Sequence, residues 1–317
     1  MNSIKDTRIV FMGTPDFAVP VLRMLVEEGY NIVQVVTQPD RPKGRKRELT
    51  PPPVKEAAQD LGLPVYQPEK IRISEEMKPI INLKPDLIIT AAFGQILPKA
   101  LLDVPTHGCI NVHASLLPKY RGGAPIHQSI IDGEEATGVT IMYMVEALDA
   151  GDMIAQSSVP IMQEDHVGTM FEKLSVVGAN LLKETLPALL CGEIQAVPQD
   201  ARQVTFAPTI KREQEILDWN RTALQLYNQV RGMHPWPVAF TLWNGQPMKI
   251  WWAEPLMDEK SDQTPGSVVA LQKDGIVVAT GDGCLKLTDL QPSGKKRLTA
   301  TQLINGRQIH VGDRLGE

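Results

Sequence analysis

The densest gathering of reactive side chains is CINVHASLLPKYRGGAPIHQSI, residues 109–130. If 108–113 is a strand, Asn111 and His113 project from one face, because side chains alternate with a period of two. An Asn amide offers donors to a developing oxyanion, and a His gives a hydrogen bond or a proton. Directly after them, SLLPKYRGGAP (115–125) is rich in Pro and Gly and can turn backbone groups toward a ligand. Further on, LDAGD at 148–152 follows another strand-like run and could bring the carboxylate of Asp149 to the same strand ends. Asn, His and Asp without an evident nucleophile describe an acyl-transfer site that works by charge stabilisation. The opposing reading is ordinary: a lone His is more often packed, and an Asp before Ala-Gly can be a turn residue. Pattern alone leaves both open. Ser115 lacks the G-x-S-x-G strand-turn-helix setting that exposes a serine nucleophile. Cys109 shares the strand face, and its apolar neighbours predict a packed small hydrophobe. His107, His127, His166, His234 and His310 show no metal-like pairing.

For those groups to converge, several strands must lie side by side. The apolar run 8–13 ends at Gly13, and Val21, Leu22, Leu25 and Val26 then recur at helical spacing before Gly29. Further strands are expected at 31–38, 64–67, 86–92, 108–113 and 139–145, and helices at 54–62, 74–82, 125–132 and 167–190. This alternation predicts an α/β fold, a Rossmann-like parallel sheet whose ligand crevice lies at the carboxyl ends of its strands. Residues 192–209 have no period and read as a linker. After a helix at 222–231, short strands near 238–243, 247–254, 266–271, 275–280 and 284–290 predict a smaller, OB-like β-barrel. The expected division is thus a catalytic domain over 1–191, a linker over 192–209 and a second domain over 210–317.

Composition fits that size. The 317 residues are 43% hydrophobic and 22% charged, enough for two cores without disulfides. The three cysteines, Cys109, Cys191 and Cys284, are too scattered for a disulfide framework or a zinc site, and each is expected to be a buried small hydrophobe. No signal-peptide pattern or membrane-length apolar run is visible, which predicts a soluble cytoplasmic protein. The net charge of −5 argues against a protein that coats nucleic acid in bulk. It conceals an asymmetry, because residues 206–317 hold 13 Lys and Arg against 12 Asp and Glu. Within the more acidic remainder lies the basic run Arg41, Lys43, Arg45, Lys46 and Arg47, able to dock phosphates locally. It sits in 39–53, a stretch with five prolines that reads as a functional loop, mobile when free. Lys295, Lys296 and Arg297 form a weaker basic turn. Trp236, Trp243, Trp251 and Trp252 could stack on bases, but a core role is favoured.

Over nearly the whole chain the sequence resembles the folate-dependent formyltransferase family. The resemblance is carried by FMGTPDFAVPVL, TQPDRPKGR, PVYQP, ILPKALL, CINVHASLLPKYRGGAPI, TGVTIMYM, LDAGDMI, HPWPVAF, VATGDG and LQPSGKK. It implies that Asn111, His113 and Asp149 are catalytic and that Ser115, Leu116, Leu117 and Pro118 hold the tetrahydrofolate. It also implies that Phe93, Gly94, Ile96 and Leu97 help to line the pterin pocket. The donor would be 10-formyltetrahydrofolate, with no metal. Family members that act on small amines share these motifs; the basic loop and the C-terminal β domain point instead to methionyl-initiator tRNA. In that branch Arg45 stands where an inserted loop places an arginine against the acceptor stem, with Arg41, Lys43, Lys46 and Arg47 beside it. Two positions depart from the family pattern: His127 for Gln, and Met233-His234 for Phe-Asn before Pro-Trp-Pro. A monomer is expected. A nicotinamide dehydrogenase fails at its fingerprint, since Thr14-Pro15-Asp16 follows Gly13 where further glycines are needed. A formyltransferase acting on a small amine and an RNA-binding module with a decayed catalytic domain are the remaining alternatives.

Overall fold

A computed structural model describes residues 4–44 and 47–317. Arg45 and Lys46, two of the proposed tRNA contacts, therefore lie outside the described residues. The chain forms two compact units: the first takes 1–125, 136–160 and 171–208, the second 126–135, 161–170 and 209–317. Two short segments that precede the expected linker thus belong to the second unit.

The first unit is built on β1 (Ile9–Gly13), α1 (Val19–Glu27), β2 (Ile32–Val36), β3 (Arg41–Lys43), β4 (Glu48–Thr50), α2 (Pro53–Asp60), β5 (Val65–Tyr66), α3 (Ser74–Asn82), β6 (Leu87–Ala91), α4 (Lys99–Leu102) and β7 (Cys109–His113). Next in the chain come α5 (Pro125–Ile131), β8 (Ala136–Tyr143), β9 (Met153–Pro160) and α6 (Val167–Leu190). The main sheet runs β5-β2-β1-β6-β7-β8-β9. Strands β1 and β6 are buried along their whole length, as the centre of a parallel sheet covered on both faces requires. From β1 the chain moves outward through β2 to β5, then returns to β6 and moves the other way. The β1/β6 boundary is therefore the switch point, where a crevice opens beyond the strand ends.

Three features differ from the sequence expectation. The sheet is mixed, because β8 runs antiparallel to β7 and β9 antiparallel to β8. Strand β9 had no apolar run to betray it; its residues alternate between half-buried and exposed. Within the expected 39–53 loop, β3 and β4 pair as a short antiparallel hairpin, Arg41 opposite Thr50 and Lys43 opposite Glu48. Three-residue charged strands with a proline carry no hydrophobic alternation to read. Cys191 is exposed rather than buried, since it falls just past the end of α6.

The second unit adds α7 (Ala223–Arg231), β10 (Phe240–Trp243), β11 (Gln246–Leu256), β12 (Val268–Gln272), β13 (Gly275–Ala279), β14 (Cys284–Pro292), β15 (Leu298–Thr299) and α8 (Ala300–Asn305). Its antiparallel sheet runs β10-β11-β14-β13-β12, with β15 on β14. Asn244 and Gly245, at φ 51° and 70°, make the tight primed turn between β10 and β11. The C-terminal tail binds both outer strands: Val268 N–H donates to Asp313, and Gly316 N–H to Leu242, each at 2.8 Å. Bridging the two edges in this way closes the sheet and removes its exposed ladder. Thr222 caps α7, whose Leu226, Tyr227 and Val230 pack into the core with Ile250, Leu285 and Leu287. Trp219 is buried in this core, Trp243 and Trp252 pack against it, and Trp236 is exposed. Trp251 carries the Arg297 guanidinium 4.9 Å above its ring. Among the described residues no helix is long and apolar enough to cross a membrane.

Both family departures fall in this unit. The His234 ring lies 4.6 Å from that of His166 and 5.4 Å from that of Trp252, and His127 packs edge-on against Trp236. Burial holds both imidazoles below their ordinary value; at His234 the neighbouring His166 and Arg297 push the same way. A histidine kept neutral by folding is protonated first in the unfolded chain. Its contribution is therefore intact above about pH 6.5 and is lost as pH falls from there through the folded value. Thermal unfolding should accordingly show a midpoint that drops between pH 7 and pH 5, with a shallower drop in the H127Q/H234N variant. An equal drop in both proteins would refute this assignment.

Candidate active site

Strand β7 sets the site. Asn111 pairs with Thr90 of β6 on one side and Met142 of β8 on the other, while His113 pairs with Thr140. The two-residue spacing puts both side chains on one face, as expected. Cys109 lies on that face too, at the far end, in the core with Ile88, Phe93 and Leu101. Burial pushes its thiol up to about 12, which removes it as a nucleophile.

Each of the three candidate groups is fixed by a different neighbour. The Thr90 hydroxyl donates to Asn111 Oδ1 at 2.7 Å, which turns the Asn111 NH₂ away from β6. His113 is buried, and its Nε2 lies 3.0 Å from the Tyr120 carbonyl. A carbonyl only accepts, so Nε2 carries the proton, and Nδ1 is the nitrogen through which His113 can exchange one. Nδ1 faces Asp149 Oδ2 at 3.8 Å, close enough for charge interaction and too long for a hydrogen bond. The same Asp149 oxygen accepts the Gly122 N–H at 2.8 Å. The His113 and Asp149 side chains are only 6% and 13% exposed, so a proton gained by the imidazole would meet the carboxylate with little screening.

The loop after β7 is held by β8 and β9. Thr140 donates its hydroxyl to the Ser115 carbonyl at 2.7 Å and accepts the Leu117 N–H at 3.1 Å. Gln156 Nε2 donates to the Leu117 carbonyl at 2.8 Å. Ser115, fully buried, gives its hydroxyl to the Lys119 carbonyl at 2.7 Å, which commits its proton to bracing the loop. Leu117 is buried, while Leu116 and Pro118 are half-buried.

The segment after β6 is tied to two neighbouring strand ends. The Phe93 carbonyl accepts from the Thr14 hydroxyl at 2.9 Å and from Gln38 Nε2 at 3.1 Å. Phe93 and Leu97 pack into the core, Gly94 turns the chain at φ 86°, and Ile96 is 74% exposed. Of the basic run, Arg41 pairs with Glu69 at 2.7 Å, and Lys43 and Arg47 are exposed.

The structure thus brings Asn111, His113, Asp149 and the 115–118 loop together, and the basic hairpin follows the carboxyl end of β2 on the same unit. Sequence reading missed the supports: Thr90, Tyr120, Arg121, Thr140, Gln156 and Gln199. Thr90 and Thr140 lie inside strands that were foreseen, and a polar residue in an otherwise apolar run is the signal that marks them. Arg121 and Gln199 carry no such mark.

Family models for a formyl transferase and for a formyl transferase C-terminal domain match residues 7–186 and 209–308. The methionyl-tRNA formyltransferase of Halalkalibacterium halodurans is 62% identical over 98% of each chain. That of Bacillus subtilis is 61% identical, again over 98% of each. Among solved structures, the N-formyltransferase from Helicobacter canadensis, in complex with folinic acid and dTDP-3-aminofucose, is 16% identical. It has a TM-score of 0.68 and covers 90% of this chain and 99% of its own, a likeness of fold alone. With both family models matched and identity above 60% across 98% of the chain, the protein belongs to the methionyl-tRNA formyltransferase family.

Proposed function

We propose that this chain transfers the formyl group of 10-formyltetrahydrofolate to the free amine of methionyl-initiator tRNA, for translation initiation. The observation that carries the reading is the convergence of Asn111, His113 and Asp149 at the end of β7, beside the loop 115–118. In this scheme the amine attacks the formyl carbon directly. A new C–N bond forms, and the carbonyl becomes an oxyanion that Asn111 Nδ2 and protonated His113 Nδ1 stabilise. The intermediate collapses as the bond to N10 of the folate breaks. One proton passes from the attacking nitrogen to N10, with His113 and Asp149 assisting the relay through water. Orientation and charge stabilisation suffice for an amine and an activated formyl donor.

Ser115, Leu116, Leu117 and Pro118 hold the folate in this reading, with Phe93, Gly94, Ile96 and Leu97 at the pterin. Arg41, Lys43, Arg45, Lys46 and Arg47 engage the phosphates of the tRNA. The first unit, to which 192–208 belong, carries the reaction, and the second adds a further platform for the tRNA. The chain acts as a cytoplasmic monomer, which sedimentation at 35.0 kDa would confirm and a dimer mass would contradict.

Direct attack separates this scheme from a covalent one. With formyl-labelled donor and no acceptor, rapid quenching should leave the protein unlabelled. Adding methionyl-tRNA should move the label to the methionine. Stoichiometric label on the protein would reject direct attack, and failure of the tRNA to gain label would reject the activity.

A further inference from the structure

Gln199 lies in 192–209, yet its side chain is committed to the two loops that flank His113. Its Nε2 donates to the carbonyls of Asp149 and Gly151, each at 2.8 Å. Its Oε1 accepts from Nε and Nη2 of Arg121 at 3.0 and 2.7 Å. The next residue, Gly122, sends its N–H to the Asp149 carboxylate. One amide therefore joins the loop whose Tyr120 carbonyl holds His113 Nε2 to the loop whose Asp149 faces Nδ1.

Both loops need holding. Asp149 sits at φ 47°, in the left-handed region that a residue with a Cβ adopts when its surroundings impose it. At Gly151 the chain returns so close to the Tyr143 carbonyl that a Cβ would collide with it. Gln199 itself starts from fixed ground on both sides. Val197 exchanges two backbone hydrogen bonds with Met153, at 2.8 Å each, and Ala207 bonds Arg121 and Ala124. The Thr205 carbonyl accepts the Arg121 N–H, and its hydroxyl accepts the Tyr120 N–H.

We infer that Gln199 is a positioning residue for formyl transfer, holding Asp149 against His113 by bridging residues 149–151 to Arg121. The inference rests on the reading of Asp149 as a catalytic group. The amide is suited to the task because it offers donors to two carbonyls and an acceptor to a guanidinium at once. A Glu at this position keeps the size and the Arg121 contact but sets a carboxylate against two carbonyl oxygens.

Steady-state formylation of methionyl-tRNA by Q199A, Q199E, D149N and Q199A/D149N tests it. Misplacing a reacting group by a fraction of an ångström should lower kcat of Q199A and Q199E roughly ten- to a hundredfold, with both KM values little changed. If Gln199 acts through Asp149, the double variant should be no slower than D149N by more than about twofold. Near-normal kcat in the Gln199 variants beside an impaired D149N overturns the inference alone. So does a Q199A loss that multiplies fully with the D149N loss, which is what general loosening produces. Near-normal turnover in D149N overturns the reading of Asp149 and this inference with it. Q199E, close in volume to the native residue, supplies the answer if Q199A does not fold.

Discussion

Asn111→Ala should lower turnover about 10²–10³-fold at saturating substrates and leave both KM values near normal. The reason lies in how the amide is aimed. The Thr90 hydroxyl takes Oδ1 at 2.7 Å, so the Asn111 NH₂ is oriented before substrate arrives and needs no reorganisation during reaction. A donor directed at charge that exists only in the tetrahedral intermediate affects kcat and kcat/KM together. His113→Ala should cost a similar factor. The two losses should not multiply, because groups that stabilise one oxyanion fail as a unit. A milder lesion, Thr90→Val, removes the anchor and keeps the amide; its kcat should lie between wild type and N111A. Steady-state kinetics with both substrates varied measures all of these. A normal kcat with raised KM in N111A would mean that Asn111 binds substrate rather than its transition state.

The second large effect should come from the hairpin. The R41A/K43A/R47A variant is expected to lose about two orders of magnitude in kcat/KM for methionyl-tRNA, almost wholly through KM, with the KM for folate unchanged. Arg41 is already paired with Glu69. Both side chains are about 60% exposed, and an exposed pair of this kind stabilises too little to prevent exchange for a phosphate. Lys43 and Arg47 stand exposed beside it. The diagnostic quantity is salt dependence. Each duplex phosphate deprived of its protein cation should flatten the plot of log affinity against log salt by roughly 0.9, by analogy with B-DNA. An unchanged slope in the triple variant would show that this hairpin is solvated surface and that the tRNA is held elsewhere.

Much of the catalytic unit could be read from residues because its central strands are buried on both faces. Ile9–Gly13 and Leu87–Ala91 are apolar runs for that reason, and the period of two then put Asn111 and His113 side by side. Asp149 is different. Nothing local ties it to His113, 36 positions earlier; its place after a strand-like run made it a candidate, the family resemblance gave it a role, and the structure supplies the 3.8 Å approach. The supports were illegible for a related reason. Gln199 meets Asp149 across 50 positions and Arg121 across 78, and no periodicity encodes such a pair. Its segment has no apolar stripe because it is held by backbone bridges rather than by packing. Strand β9 escaped notice because it is half-buried at the sheet's edge, and β3–β4 because two short, largely exposed strands show no apolar alternation. In the second unit the Asn244-Gly245 turn was a clear marker. Closure of the sheet depends on residues 312–316, whose sequence gives no strand signal.

The central claim is the choice of acceptor. Single-turnover transfer from 10-formyltetrahydrofolate should be compared among methionyl-initiator tRNA, free methionine and a small amino-sugar nucleotide. Rapid formylation of the charged tRNA is expected, with no measurable product from the other two. Transfer to the small amines with none to the tRNA would contradict the claim: the site on β7 would stand, and the basic hairpin and second unit would lose their assigned role.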